Sequence, residues 1–185
     1  VGFGYAQVWR NTGNGFTDIH AGLPAVSFGT GAWGDYDNDG RLDILVTGDL
    51  LGNSIAQVWR NTGNGFTSIN ASLPGVNQGD AAWGDYDNDG WLDILVSGAT
   101  GNYPNYNPIT HIWRNNGDGT FSNINAGLPA VQYSAVAWGD YDNDGRPDVL
   151  LAGMDTSTNR ITQVWRNTGS GFVNINAGLT ALVSQ

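Results

Sequence analysis

The stretch WGDYDNDGRLDILVTG, residues 33–48, puts four aspartates into nine positions and then runs into an apolar segment. Nearly the same words return as WGDYDNDGWLDILVSG at 83–98 and WGDYDNDGRPDVLLAG at 138–153. In the apolar half, Leu42, Ile44 and Val46 alternate with Asp43, Leu45 and Thr47, a partial period of two that predicts a strand. FGTGAWGD, from Phe28, predicts a short strand before the acidic cluster.

A second phrase keeps the same period. It reads QVWRNTGNGFTDI at 7–19, QVWRNTGNGFTSI at 57–69, HIWRNNGDGTFSNI at 111–124 and QVWRNTGSGFVNI at 163–175. Each is two runs of β-formers around a glycine-rich turn, the pattern of a hairpin. Trp9, Trp59, Trp113 and Trp165 follow one another at 50, 54 and 52 residues. A linker of the type AGLPAV closes each unit, and the third unit carries an insertion, NYPNYNPIT from Asn102. No long window shows a helical stripe. Four short antiparallel strands per unit of about 50 residues is the signature of a β-propeller blade.

The fold class expected is therefore all-β, with about three and a half propeller blades in this chain. The units read as a partial blade of third and fourth strands at 1–24 and blades at 25–74, 75–129 and 130–180. Residues 181–185 are left as the start of a following strand or a tail. Four or more blades are needed to close a ring. The chain is thus expected to be a fragment or an assembling half, with another copy of itself or missing blades as partner. The repeated tryptophans of both phrases are expected in the core between blades. Trp91, which stands where the other loops have Arg41 and Arg146, is expected to be exposed.

The charge is as uneven as the pattern. All 17 acidic residues are Asp, all seven basic ones are Arg, and the formal charge is -10. Twelve of the aspartates lie in the three loops, so the charge needs a local explanation. In the first loop, Asp35, Asp37, Asp39 and Asp43 take positions one, three, five and nine, and Gly40 at position six permits a sharp turn. The carbonyl of Arg41 at position seven adds an oxygen. Carboxylates this close repel, and a divalent ion reverses that cost. Oxygen-only, flexible coordination is what calcium prefers, whereas zinc wants nitrogen or sulfur and magnesium a tighter octahedron. About three Ca2+ per chain are expected. The loop is not an EF-hand, because position twelve is Val46, Val96 or Leu151 and the exit is a strand.

Through the core GDYDNDGRLDILVTG, GDYDNDGWLDILVSG and GDYDNDGRPDVLLAG, the sequence resembles the calcium-binding FG-GAP or VCBS-type repeats of integrin α headpieces and bacterial and fungal propellers. The resemblance implies a roughly seven-bladed propeller with a calcium loop between the first two strands of a blade. It implies as ligands Asp35, Asp37, Asp39 and Asp43; Asp85, Asp87, Asp89 and Asp93; and Asp140, Asp142, Asp144 and Asp148. Backbone oxygens of Arg41, Trp91 and Arg146 would complete the cages. Phe28-Gly29 matches half of the family name, but no Gly-Ala-Pro follows the strand, and the nearest is Gly98-Ala99-Thr100. Those departures fit the broader VCBS-type group better than integrins.

Function is expected to be recognition without catalysis. Mushroom propeller lectins, which the repeats also resemble, bind amino sugars between blades. The triplets Trp9-Arg10-Asn11, Trp59-Arg60-Asn61, Trp113-Arg114-Asn115 and Trp165-Arg166-Asn167 offer an aromatic face beside polar donors, as a glycan needs. Neighbouring strand residues point to opposite faces, however, so Trp and Arg of one triplet do not line one pocket. The competing expectation is that Trp packs inward and Arg bonds to the next blade. A structural or adhesion scaffold for an extracellular protein is the alternative function, and near-identical units also point to recent duplication or design. No catalytic fingerprint appears, and carboxylates that recur three times read as ligands. Acidity argues against nucleic acid as a partner. No stretch is long and apolar enough to span a membrane. Val1 is not read as a natural start, so a missing leader excludes nothing, and the setting expected is secreted or cell-surface.

Overall fold

In the computed structural model, residues 6–101 and 105–181 are described, and every element among them is a strand. The head of the insertion, 102–104, and the last residues of the tail, 182–185, lie outside them, as do residues 1–5. β1 (Trp9–Asn11) and β2 (Phe16–Asp18) form a two-stranded hairpin. A four-stranded antiparallel sheet follows, of β3 (Gly31–Gly34), β4 (Asp43–Leu50), β5 (Asn53–Asn61) and β6 (Phe66–Ser68).

The pattern then repeats twice. β7 (Asn77–Gly84), β8 (Asp93–Thr100), β9 (Asn107–Asn115) and β10 (Phe121–Asn123) pair in order, as do β11 (Val131–Gly139), β12 (Asp148–Asp155), β13 (Arg160–Asn167) and β14 (Phe172–Asn174). A single pairing, Val131 with Ile109, joins these last two sheets into one eight-stranded sheet, with β10 beside β9 off its main path. The repeated blade-like sheets are those the sequence leads one to expect. The closed propeller is not formed, because no sheet among the described residues closes into a ring.

The sheets pack face to face. The central strand of each buries the apolar run after its acidic loop. One core holds Leu45 and Val58 of the first sheet against Ile94 and Val96 of the second. The next holds Leu95 and Ile112 against Val149 and Leu151. A smaller one holds Val8, just before β1, against Ile44 and Val46.

A glycine sets the distance between neighbours. A Cβ on Gly34 would lie 2.7 Å from the Trp83 ring, and one on Gly84 only 2.5 Å from that of Trp138. Trp83 and Trp138 thus each lie on the glycine of the sheet before them. Trp33 has no such seat among the described residues and is 52% exposed, and Trp9 is 54% exposed. The expectation of a uniform tryptophan core is corrected for these two. Burial of a repeated residue depends on its neighbour, and the pattern alone does not carry that.

Candidate metal centre

Each acidic loop joins the first two strands of a sheet, and its folding is written into its side chains. Asp35 Oδ1 accepts the Asp39 amide at 3.0 Å and Oδ2 the Gly40 amide at 2.9 Å. Asp85 and Asp140 do the same for Asp89 and Gly90, and for Asp144 and Gly145. Position four, Asn38, Asn88 or Asn143, takes a left-handed φ of 55° to 57°, which Asn tolerates. The first two of these asparagines reach the next loop: Asn38 Nδ2 donates to the Gly90 carbonyl at 2.9 Å, and Asn88 Nδ2 to that of Gly145 at 2.7 Å.

Position nine is a buried staple. Asp43, Asp93 and Asp148 accept the amide of position two, Tyr36, Tyr86 or Tyr141, at 2.9–3.1 Å. Their other oxygen accepts the amide of Asn61, Asn115 or Asn167 at 2.7–2.8 Å. One carboxylate therefore ties the start of the loop to the third strand. Burial drives the Asp93 carboxyl up to about 7, against the pull of the Asn115 and Tyr86 amides and with help from Asp87 and Asp89. Burial also raises Asp43.

The triplet arginines complete the loops. Arg60 Nε lies 2.6 Å from Asp37 Oδ2, and its Nη2 3.1 Å from Asp39 Oδ2. Arg114 spans Asp87 and Asp89 at 2.7 and 2.6 Å, and Arg166 spans Asp142 and Asp144 at 2.6 and 2.9 Å. The competing expectation of an arginine bonded to the next blade is corrected, because each of these three arginines serves the loop of its own sheet. Burial alone would raise Asp39 and Asp144, but the Arg41 and Arg146 amides and the guanidinium groups hold both below the usual carboxylate range.

The triplet asparagines do cross between sheets. Asn115 Nδ2 donates to the Tyr36 carbonyl and Asn167 Nδ2 to that of Tyr86, both at 2.8 Å. Among the described residues, Asn61 Nδ2 donates only to the Leu42 carbonyl of its own sheet. Trp59, Trp113 and Trp165 are half-buried, and Arg10 and Asn11 are exposed in the hairpin. Trp91 is half-buried rather than exposed, because its ring seats against Gly117, where a Cβ would lie 3.1 Å away. One Arg per unit, fixed in step with one acidic loop, was the available sequence signal for the ion pairs.

Carboxylate oxygens of Asp35, Asp37 and Asp39 lie within 4.8 Å of one another. The same holds for Asp85, Asp87 and Asp93, and for Asp140, Asp142 and Asp148. Position nine converges in the second and third loops and position five in the first. Asp43, Asp89 and Asp144 stand outside these triads while remaining in their loops. Asp37 Oδ1 and Asp142 Oδ1 are buried and have no hydrogen-bond partner among the described residues. A buried anionic oxygen without a partner is costly, and a cation between the carboxylates would satisfy it. The donor set is all oxygen, so the residues fit a hard divalent ion.

The FG-GAP-like repeat model matches residues 35–96 and 99–151, more than half of the chain. The chain belongs to the FG-GAP-like repeat family. The match starts on Asp35 and ends at Leu151 inside β12, so the FG-GAP-like region contains all three acidic loops and the triplets at Trp59 and Trp113. No curated protein matches the chain.

Proposed function

We propose that this FG-GAP-like chain is a non-catalytic scaffold module whose three loops each bind Ca2+, and that the ions lock its blades together. The observation that carries this is the pair of buried, unpartnered oxygens, Asp37 Oδ1 and Asp142 Oδ1, inside converging carboxylate triads. Asp35, Asp37, Asp39 and Asp43 supply the first cage, with the Arg41 carbonyl. Asp85, Asp87, Asp89 and Asp93 supply the second with that of Trp91, and Asp140, Asp142, Asp144 and Asp148 the third with that of Arg146. Position nine couples ion to fold, since the carboxylate near the ion also holds the third strand. A secreted or cell-surface setting suits loops of this kind, whose affinities lie near 10⁻⁴ to 10⁻³ M in extracellular modules.

Scaffolding is favoured over glycan recognition at the triplets because their donors are engaged. In the three complete sheets Arg60, Arg114 and Arg166 face carboxylates, and Asn61, Asn115 and Asn167 face carbonyls. Calorimetry with calcium and thermal melts in EDTA test the ion reading. Three ions per chain and a higher melting point in calcium than in EDTA are expected. A melt that EDTA leaves unmoved, with no heat of calcium binding, refutes it. Binding on a glycan array that is lost on Arg114→Ala would restore the lectin reading.

A further inference from the structure

The first two loops share a sequence except at position seven, which is Arg41 in one and Trp91 in the other; the third again has arginine, Arg146. The difference changes which cations face the carboxylates. Arg41 Nη2 sits on Asp39 Oδ2, and its Nε donates to the Asn61 carbonyl at 2.8 Å. Arg146 copies this on Asp144 and on the Asn167 carbonyl, the latter at 3.0 Å. The position-five carboxylate of these loops therefore meets two guanidinium groups, its position-seven arginine and its triplet arginine.

Loop two is built otherwise. Trp91 turns to Gly117, and among the described residues Asp89 Oδ2 pairs with Arg114 alone. Four aspartates against two arginines leave a formal charge of -2 in loops one and three. Four against one leave -3 in loop two when every carboxylate is ionised.

We propose that loop two is the high-affinity cation site of the chain and fills before the other two, with Arg41 and Arg146 acting as built-in competitors. This rests on the ion-binding reading above. A cation entering loop one or three meets an extra positive charge held against a carboxylate it would share. A unit charge next to a divalent ion in a water-exposed loop weakens binding by roughly tenfold. The three loops thus form a graded set, in which one site is occupied at calcium levels that leave two open.

The position-six amides report on each loop separately, since Gly40, Gly90 and Gly145 each donate to the position-one aspartate at 2.9 Å. Calcium is titrated into the 185-residue chain at pH 8.5, where every loop carboxylate is ionised, while these three amide signals are followed by NMR. Gly90 is expected to reach its midpoint at about tenfold lower free calcium than Gly40 and Gly145. Trp91→Arg, which installs the residue of the other loops, should bring the Gly90 midpoint level with theirs. Trp91→Leu removes the ring without adding charge and should leave Gly90 first. Three coincident midpoints in the parent chain overturn the proposal, as does a Trp91→Leu chain that behaves like Trp91→Arg. Either result leaves ion binding standing. Three amides that do not respond to calcium would instead overturn the ion reading itself.

Discussion

The interfaces between sheets and the outer face of the last sheet are made of the same residues in opposite states. Tyr36 is 4% exposed, lying 6.3 Å from the Trp83 ring and 6.1 Å from that of Phe121. Tyr86 lies 6.4 Å from Phe172, which in turn lies 6.3 Å from Trp138. Tyr141, the third of the series, is 49% exposed. Trp33 and Phe66 form the same tilted pair at 6.2 Å on the first sheet. The repeat unit therefore carries both halves of a contact, a Trp/Phe clamp on one face and a tyrosine on the other. Local sequence fixes the parts, and the neighbouring sheet decides whether they are buried. The chain supplies its own controls for measuring what stacking contributes.

The largest difference is expected at the central strands. Leu95 is fully buried between the second and third sheets, and its counterpart Leu150 is 44% exposed. Leu95→Ala should cost about 2–5 kcal/mol, as buried leucine truncations do. Leu150→Ala should stay within about 0.5 kcal/mol, as surface changes do. Urea unfolding of the two variants measures the gap, and equal losses would mean that the stacked interface contributes nothing.

Next comes the glycine seat. A Cβ at position 84 would strike the Trp138 ring, whereas one at position 139 meets nothing within 4 Å. Gly84→Ala should therefore destabilise by about 1–3 kcal/mol through overpacking. Gly139→Ala, in ordinary extended backbone, should be neutral or stabilising by up to about 1 kcal/mol. The asparagines give a smaller contrast. Asn115 and Asn61 share their local bonds, but only Asn115 also holds a carbonyl of the preceding sheet, that of Tyr36. Asn115→Ala should exceed Asn61→Ala by about 1 kcal/mol, the net value of one such bond. Equal costs would place both asparagines in purely local roles.

These contrasts mark where the sequence was legible. The acidic loops, the strand order and the hairpins follow from short-range chemistry, since glycine, asparagine and alternating apolar residues act within a few positions. The partners of Arg60, Arg114 and Arg166 depend on the register of the first three strands, with Trp59 opposite Ile44, and spacing alone did not give it. The exposure of Trp33 and Trp9 and the Val131–Ile109 link between sheets depend on stacking. The choice of Asp39 over Asp43 in the first triad is a matter of ångströms within one loop, and four equivalent aspartates offer no sign of it.

The middle sheet is covered on both sides, and this extends the contrast to pH. Burial holds the Asp93 carboxyl at about 7, against 3.8 for an ordinary aspartate. Between those values the folded chain keeps a proton that the unfolded chain has released, so stability falls as pH rises. The contribution is full below 3.8 and gone above about 7. Asp39 and Asp144, held low, act in the opposite sense but only at pH below the ordinary aspartate range, whereas His111, lowered by burial, opposes Asp93 below the ordinary histidine value of 6.5. In EDTA, the melting point of the parent chain should therefore decline from pH 5 to pH 7.5 relative to that of Asp93→Asn, which cannot ionise and keeps the His111 contribution. Excess calcium should flatten that relative decline, because the ion stabilises the ionised carboxylate that the bare fold disfavours. A slope unchanged in Asp93→Asn would show that Asp93 ionises in the folded chain as readily as in water.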